Sequence, residues 1–135
     1  MLDTNICSYI MRKKPPEVLY EMTKKVEANN SIVISAVTYA EMRFGAIGKK
    51  ASPKHGEIVD AFMECVDHVC AWDKASVEET TRIRQGLSVK GIIIGSNDMA
   101  IAGTAISTNS ILVTNNTKEF KRVPGLNFEN WVSEI

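Results

Sequence analysis

Short hydrophobic runs rich in β-branched residues alternate along this chain with stretches whose apolar positions recur at helical spacing. Met1–Asp3 reads as the end of a strand and Asn5–Arg12 as a short helix. The Arg12-Lys13-Lys14-Pro15-Pro16 run breaks that helix, because a residue before proline avoids the α region. Glu17–Asn29 predicts a second helix, Ser31–Ser35 a strand, and Ser35 is a suitable N-cap for a helix over Ala36–Lys49. Lys54–Val66 repeats the helical spacing through Ile58, Phe62 and Cys65. His68–Trp72 predicts a strand, after which Asp73 caps a helix over Lys74–Lys90. Asn97–Thr108 predicts a helix, Ser110–Thr114 a strand, Thr117–Lys121 a helical turn and Asn127–Glu129 a last short strand. Strands alternating with helices give an α/β chain with a parallel sheet covered on both faces. Ligands of such sheets gather at the carboxyl ends of the strands, where strand order reverses.

The 135 residues carry no repeat, low-complexity tract or long linker, so residues 1–135 are expected to form a single domain, and 44% hydrophobic content supports a core. Sixteen basic and sixteen acidic residues cancel. Net charge therefore points to neither a nucleic acid nor a membrane surface, although balanced totals can hide a local basic patch. Charge at Asp3 and apolar runs too short to span a bilayer give the expectation of a soluble, cytoplasmic protein with no membrane partner. Three cysteines do not make a disulfide framework. Cys65, His68 and Cys70 lack a fourth ligand at zinc spacing, so the thiols are expected to be buried, and His55 is expected to be solvated.

Four acids change the picture. Asp3 follows the first apolar residues. Glu41 lies at helical spacing with Val37, Ala40 and Phe44, which predicts a position on the apolar face. Asp98 opens an apolar helix behind Gly95-Ser96-Asn97, and Glu119 precedes Phe120 just beyond Ile111-Leu112-Val113. Each has an ordinary explanation: Asp3 as a helix cap, Glu41 as a boundary residue, Asp98 as a favourable first-turn charge, Glu119 as a turn residue. Taken together, carboxylates facing a core need positive compensation. With no matching Arg or Lys, a divalent cation such as Mg²⁺ or Mn²⁺ supplies it. Ala100, Ala102, Gly103 and Ala105 predict close helix packing beside Asp98.

The segments Leu2-Asp3-Thr4-Asn5, Ser35 to Gly45, Ile94 to Ala102 and Leu112 to Phe120, followed by Val123-Pro124-Gly125-Leu126, together resemble the PIN-domain ribonucleases, specifically VapC-type toxins of type II toxin–antitoxin pairs. The resemblance spans nearly the whole chain. It implies a three-layer α/β/α fold with a central parallel sheet of about five strands and acids at its carboxyl edge. It implies a metal-dependent endoribonuclease cleaving structured RNA, tRNA in the anticodon region included. Asp3, Glu41 and Asp98 match the family's first three acids and are its implied metal ligands, Mg²⁺ with Mn²⁺ as substitute. At the fourth position many relatives carry an aspartate where this chain has Asn116, and Glu119 resembles the replacement seen in a subgroup. Thr4, Asn5, Thr114 and Asn116 are candidates to support the acids by hydrogen bonding. Arg12, Lys13, Lys14 and Arg43 are candidates for RNA contact, with solvated charge as the alternative. The family further implies a VapB-type antitoxin, a toxin homodimer and a larger toxin–antitoxin assembly, with apolar surface expected around Ile47–Lys54 and Phe62–Val66. Two other readings stand beside this one: a PIN-like module that only binds RNA or protein, since a fold does not guarantee its chemistry, and a nuclease acting on another RNA or on DNA.

Overall fold

The computed structural model describes residues 1–48 and 52–133. Its elements in chain order are α1 (Thr4–Arg12), α2 (Pro16–Glu27), β1 (Val33–Ser35), α3 (Ala36–Ile47), α4 (His55–Met63), β2 (His68–Cys70), α5 (Lys74–Val89), α6 (Ser96–Ser107), β3 (Leu112–Val113), α7 (Thr117–Phe120) and β4 (Phe128–Glu129). Every element expected from the sequence is present, with ends shifted by one to a few residues. Lys49, the expected end of α3, lies outside the described residues.

Leu2 organises the sheet. It bridges Ile34 on one side and Val113 on the other, both in parallel. β1 pairs with β2, and β3 with β4, also in parallel. The spatial order is therefore β2, β1, Leu2, β3, β4: four short strands in parallel, with the expected Met1–Asp3 strand reduced to the bridging residue Leu2 in the middle, against the about five strands the resemblance implied. The first strand sits in the middle, so the chain winds outward to both edges. The point where strand order reverses lies beside Leu2.

Side chains alternate across the sheet because strand geometry has a period of two. Leu2, Ile34 and Val113 face a core shared with Ile6, Ile10, Val18, Met22, Met42 and Phe62 of α1 to α4. Met1, Cys70 and Leu112 face a second core with Ile83, Leu87, Ile101, Ala105 and Phe120 of α5 to α7. Helices on both faces give three layers, and α5 packs on α6 most extensively. Full burial of a residue such as Leu2 or Phe120 contributes roughly 1.5–3 kcal/mol.

Several details differ from the sequence reading. The buried residues of α3 are Thr38 and Met42, while Ala40 is exposed and Phe44 is 73% exposed, so the stripe shared by Val37, Ala40, Glu41 and Phe44 is not the core face. In α4 the core contacts are Val59 and Phe62, and Ile58 turns outward. Cys65 is exposed, whereas Cys7 and Cys70 are buried. Of the expected apolar surface, Ile47 is 81% exposed and Phe62 is buried; residues 49–51 lie outside the described residues. No helix among the described residues is long and apolar enough to cross a membrane.

Candidate active site

The parallel register carries Asp3, Ser35 and Thr114 to neighbouring positions at the carboxyl ends of the three central strands, each one residue past Leu2, Ile34 and Val113. Asp3 is 4% exposed. It caps α1, with Oδ1 accepting the Ile6 N–H at 2.9 Å. Its Oδ2 accepts the Thr114 hydroxyl at 2.5 Å. Thr114 Oγ1 in turn accepts the Asn116 N–H at 2.9 Å, which fixes the hydroxyl toward the carboxylate. Capping thus uses one oxygen of Asp3 and leaves the other directed at the strand ends.

Glu41 stands two turns into α3, at the edge of the buried face. Its Oε1 accepts the Thr4 hydroxyl at 2.8 Å. Thr4 Oγ1 lies 3.3 Å from Thr38 Oγ1, which lies 3.2 Å from Ser35 Oγ. Ser35 is also the N-cap of α3, accepting the Thr38 N–H at 3.0 Å. A row of hydroxyls from β1, α3 and α1 therefore ends on the Glu41 carboxylate. Ser35 entered the sequence reading only as a cap, and Thr38 escaped it as a site residue. The available signal was the spacing of Ser35, Thr38 and Glu41 by three residues each, one face of a helix.

Asp98 occupies the first turn of α6, where the helix dipole favours a negative charge. It is half-buried, and burial raises its pKa first, followed by the charges of Glu41 and Glu119. Burial also raises the pKa of Asp3; the Thr114 and Ile6 hydrogen bonds oppose that rise, and the charges of Asp98 and Glu41 add to it. Asp3, Glu41 and Asp98 thus lie within electrostatic reach of one another, and Glu119, on the single turn α7, reaches the group through Asp98. Among the described residues none of the four acids forms an ion pair with Lys, Arg or His.

This donor set is all carboxylate oxygen, suited to a hard cation. Among the described residues no three Asp, Glu, His or Cys side chains close around one point as a cage.

The remaining candidates separate. Thr4 and Thr114 bond to the acids directly. Asn116 touches none of the acids and meets Asp3 only indirectly, its backbone N–H donating to the Thr114 hydroxyl, and Asn5 is exposed. Arg12, Lys13 and Lys14 are exposed at the end of α1, with Arg12 stacked on the Tyr9 ring at 5.1 Å. Arg12 also lines a cleft of about 320 Å³ with Thr4, Glu41, Met42, His55 and Val59. Arg43 points away from the acids: its guanidinium meets Asp60 at 2.7 Å and the Tyr39 hydroxyl at 2.9 Å, tying α3 to α4. Asp60, followed by Tyr39, raises its pKa.

Residues 1–126 match the PIN domain. The chain is 40% identical over 131 residues to ribonuclease VapC2 of Rickettsia felis, covering 97% of this chain and 96% of that protein. It is 37% identical, at the same coverage, to the tRNA(fMet)-specific endonuclease VapC of Shigella flexneri. Among solved structures, VapBC2 from Rickettsia felis bound to a DNA fragment from their promoter superposes with a TM-score of 0.90 at 37% identity, covering 98% of both chains. DNA-bound VapBC from Salmonella typhimurium gives 0.88 at 32% identity, covering 98% of this chain and 97% of that one. With a parallel sheet between two helical layers and Asp3 where strand order reverses, the chain belongs to the PIN-domain family, among its VapC ribonucleases.

Proposed function

We propose that this chain is a divalent-metal-dependent endoribonuclease whose site is Asp3, Glu41, Asp98 and Glu119. Its substrate is structured RNA, specifically tRNA cut in the anticodon region, and a VapB-type antitoxin holds it inactive in a toxin–antitoxin assembly built on a toxin homodimer, in the cytoplasm. The observation that carries the reading is the buried Asp3 carboxylate at the switch point of a parallel sheet, held by Thr114, with Thr4 holding Glu41, while among the described residues none of the four acids has an ion-pair partner. The tRNA substrate is supported by the Shigella relative, and the antitoxin by the VapBC complexes.

Asp3 and Asp98 are the principal metal ligands in this reading, with Mg²⁺ as the ion and Mn²⁺ as its substitute. When bound, such an ion offsets charge developing on the scissile phosphate and acidifies the attacking water. Thr114 aims Asp3 and opposes the rise in its pKa that burial causes. Thr4 holds Glu41 at the edge of the site, where its free oxygen orients water or a ligand. Glu119 adds negative charge beside Asp98. Arg12, Lys13 and Lys14, exposed near the Glu41 cleft, are placed to meet flanking phosphates.

Incubation of the protein with total tRNA, in Mg²⁺, Mn²⁺ or EDTA and beside Asp98→Asn, tests this. Discrete fragments lost with EDTA and with the variant are expected. Intact RNA under all conditions from folded protein would favour a module that binds without cutting, and equal cutting by Asp98→Asn would remove the acids from the mechanism.

A further inference from the structure

The surface next to Asp98 continues as a groove. Immediately beside Ser96 and Asn97 a groove of about 470 Å³ runs between α5 and the first half of α6, with Val37 of α3 as its floor. Val37 precedes Glu41 by one helical turn and Asn97 immediately precedes Asp98, so the groove is lined by neighbours of two of the carboxylates. Its α5 wall is the stripe Val77, Thr80, Thr81 and Arg84, and Trp72 stands at one end. Trp72 lies beyond the end of β2 and is 46% exposed. Its indole N–H donates to Thr80 Oγ1 at 3.2 Å, and Thr80 Oγ1 donates to the Ser76 carbonyl at 2.6 Å. The ring is thereby held by its polar edge while much of its surface stays open. Arg84, exposed, forms no ion pair among the described residues. A second cavity of about 440 Å³ shares Arg84, Ser96 and Met99 with the first and continues past Ile93.

An aromatic platform, a guanidinium without a carboxylate partner, and exposed Ser and Asn side chains are the chemistry that receives an unpaired nucleotide: a base stacks on the ring while the cation meets a phosphate. A purely apolar protein contact would leave Arg84 without a counter-charge. We propose that this groove is a binding subsite for an unpaired RNA nucleotide next to the scissile phosphate, with Trp72 stacking its base and Arg84 holding its backbone. The inference rests on the ribonuclease reading above and adds the selection of unpaired over duplex RNA.

The test is binding in EDTA, where cutting does not intervene, of a labelled RNA hairpin with an unpaired loop, beside the same stem as a blunt duplex. Wild type should prefer the loop. Trp72→Ala should lose about ten- to a hundredfold in loop affinity with duplex affinity unchanged, and Trp72→Phe should recover most of it. Arg84→Ala should lower the salt dependence of loop binding by about 0.7 in log–log slope, the contribution of one phosphate contact on a single strand. Loop affinity unchanged in Trp72→Ala would overturn the proposal. So would a loss of self-association by that variant in sedimentation velocity without loss of RNA affinity, which would make the groove a contact between copies. Cleavage of the hairpin by wild type in Mg²⁺, read separately, reports on the ribonuclease reading: wild type that cuts while Trp72→Ala binds normally refutes the groove alone.

Discussion

Gly103 is where the position of Asp98 is set by packing, and replacing it with alanine has a calculable consequence. A Cβ at Gly103 would collide with Thr80 Oγ1, and would stand 2.8 Å from the Thr80 nitrogen and 3.0 Å from the Ser76 carbonyl oxygen. The hydroxyl can rotate away, but two of the three obstructions are backbone of α5, so the helices must part by a few tenths of an ångström. Overpacking of this kind costs about 1–3 kcal/mol, and the backbone obstruction places this site near the top of that range. Alanine returns about 1 kcal/mol of helix propensity, leaving a net loss of about 2 kcal/mol. At this chain length that is a fall in Tm of roughly 8 °C. Gly86 is the internal control, since a Cβ there meets nothing within 4 Å on the same helix α5. Gly86→Ala should raise stability by about 0.5–1 kcal/mol. Urea unfolding of both variants at neutral pH measures the difference. Gly103→Ala as stable as wild type or more so would refute the claim that close backbone approach fixes α6 against α5.

Thr114→Val removes the hydroxyl from the buried Asp3 carboxylate, which should cost about 1–3 kcal/mol in denaturant unfolding and about 10–100-fold in metal affinity or tRNA cleavage, as loss of a ligand-orienting bond does. Thr4→Val should leave stability nearly unchanged and lower cleavage by about tenfold by freeing Glu41; unchanged cleavage would show that the bond does not position the acid. Asp3 and Asp98 have folded-state pKa values raised above the unfolded ones, by burial first. The folded state therefore binds their protons more tightly, and their contribution to stability, full below the unfolded pKa, is lost as pH rises through the folded one. Metal-free Asp98→Asn should accordingly be as stable as wild type or more stable at neutral pH, with a flatter acid-side stability profile; a destabilised variant with the wild-type profile would contradict the charge coupling.

Alternation of apolar runs and helical periods was enough to recover the α/β order, because a sheet buried on both faces demands continuous apolar strands such as Ile111-Leu112-Val113. Strand order and the central place of Leu2 depend on pairings between residues far apart, which periodicity does not encode. In α3 the pattern misled: the helix buries Thr38 and Met42, and a buried threonine reads as polar, while the apolar Phe44 faces outward. The acids stand out in the sequence because unbalanced charge beside apolar residues is conspicuous, although the stripe that marked Glu41 is not the buried face of α3. Their supports stand out less, since Ser35 and Thr38 resemble an ordinary cap until Thr4 is brought against them from α1. Arg43 also has surroundings the sequence does not display. Its nearness to Glu41 in sequence suggested RNA contact, and the fold adds a partner periodicity does not show, Asp60, seventeen residues on. Trp72 and Arg84 come to one groove with Asn97, the residue before Asp98, only through the packing of α5 on α6.

The most direct test of the central claim is calorimetric titration of Mn²⁺ into the metal-free protein and its Asp3→Asn and Asp98→Asn variants. One cooperative carboxylate site predicts saturable binding by wild type, weakened at least tenfold in both variants while each remains folded. Binding unaffected by either substitution, or none to the folded wild type, would contradict the account.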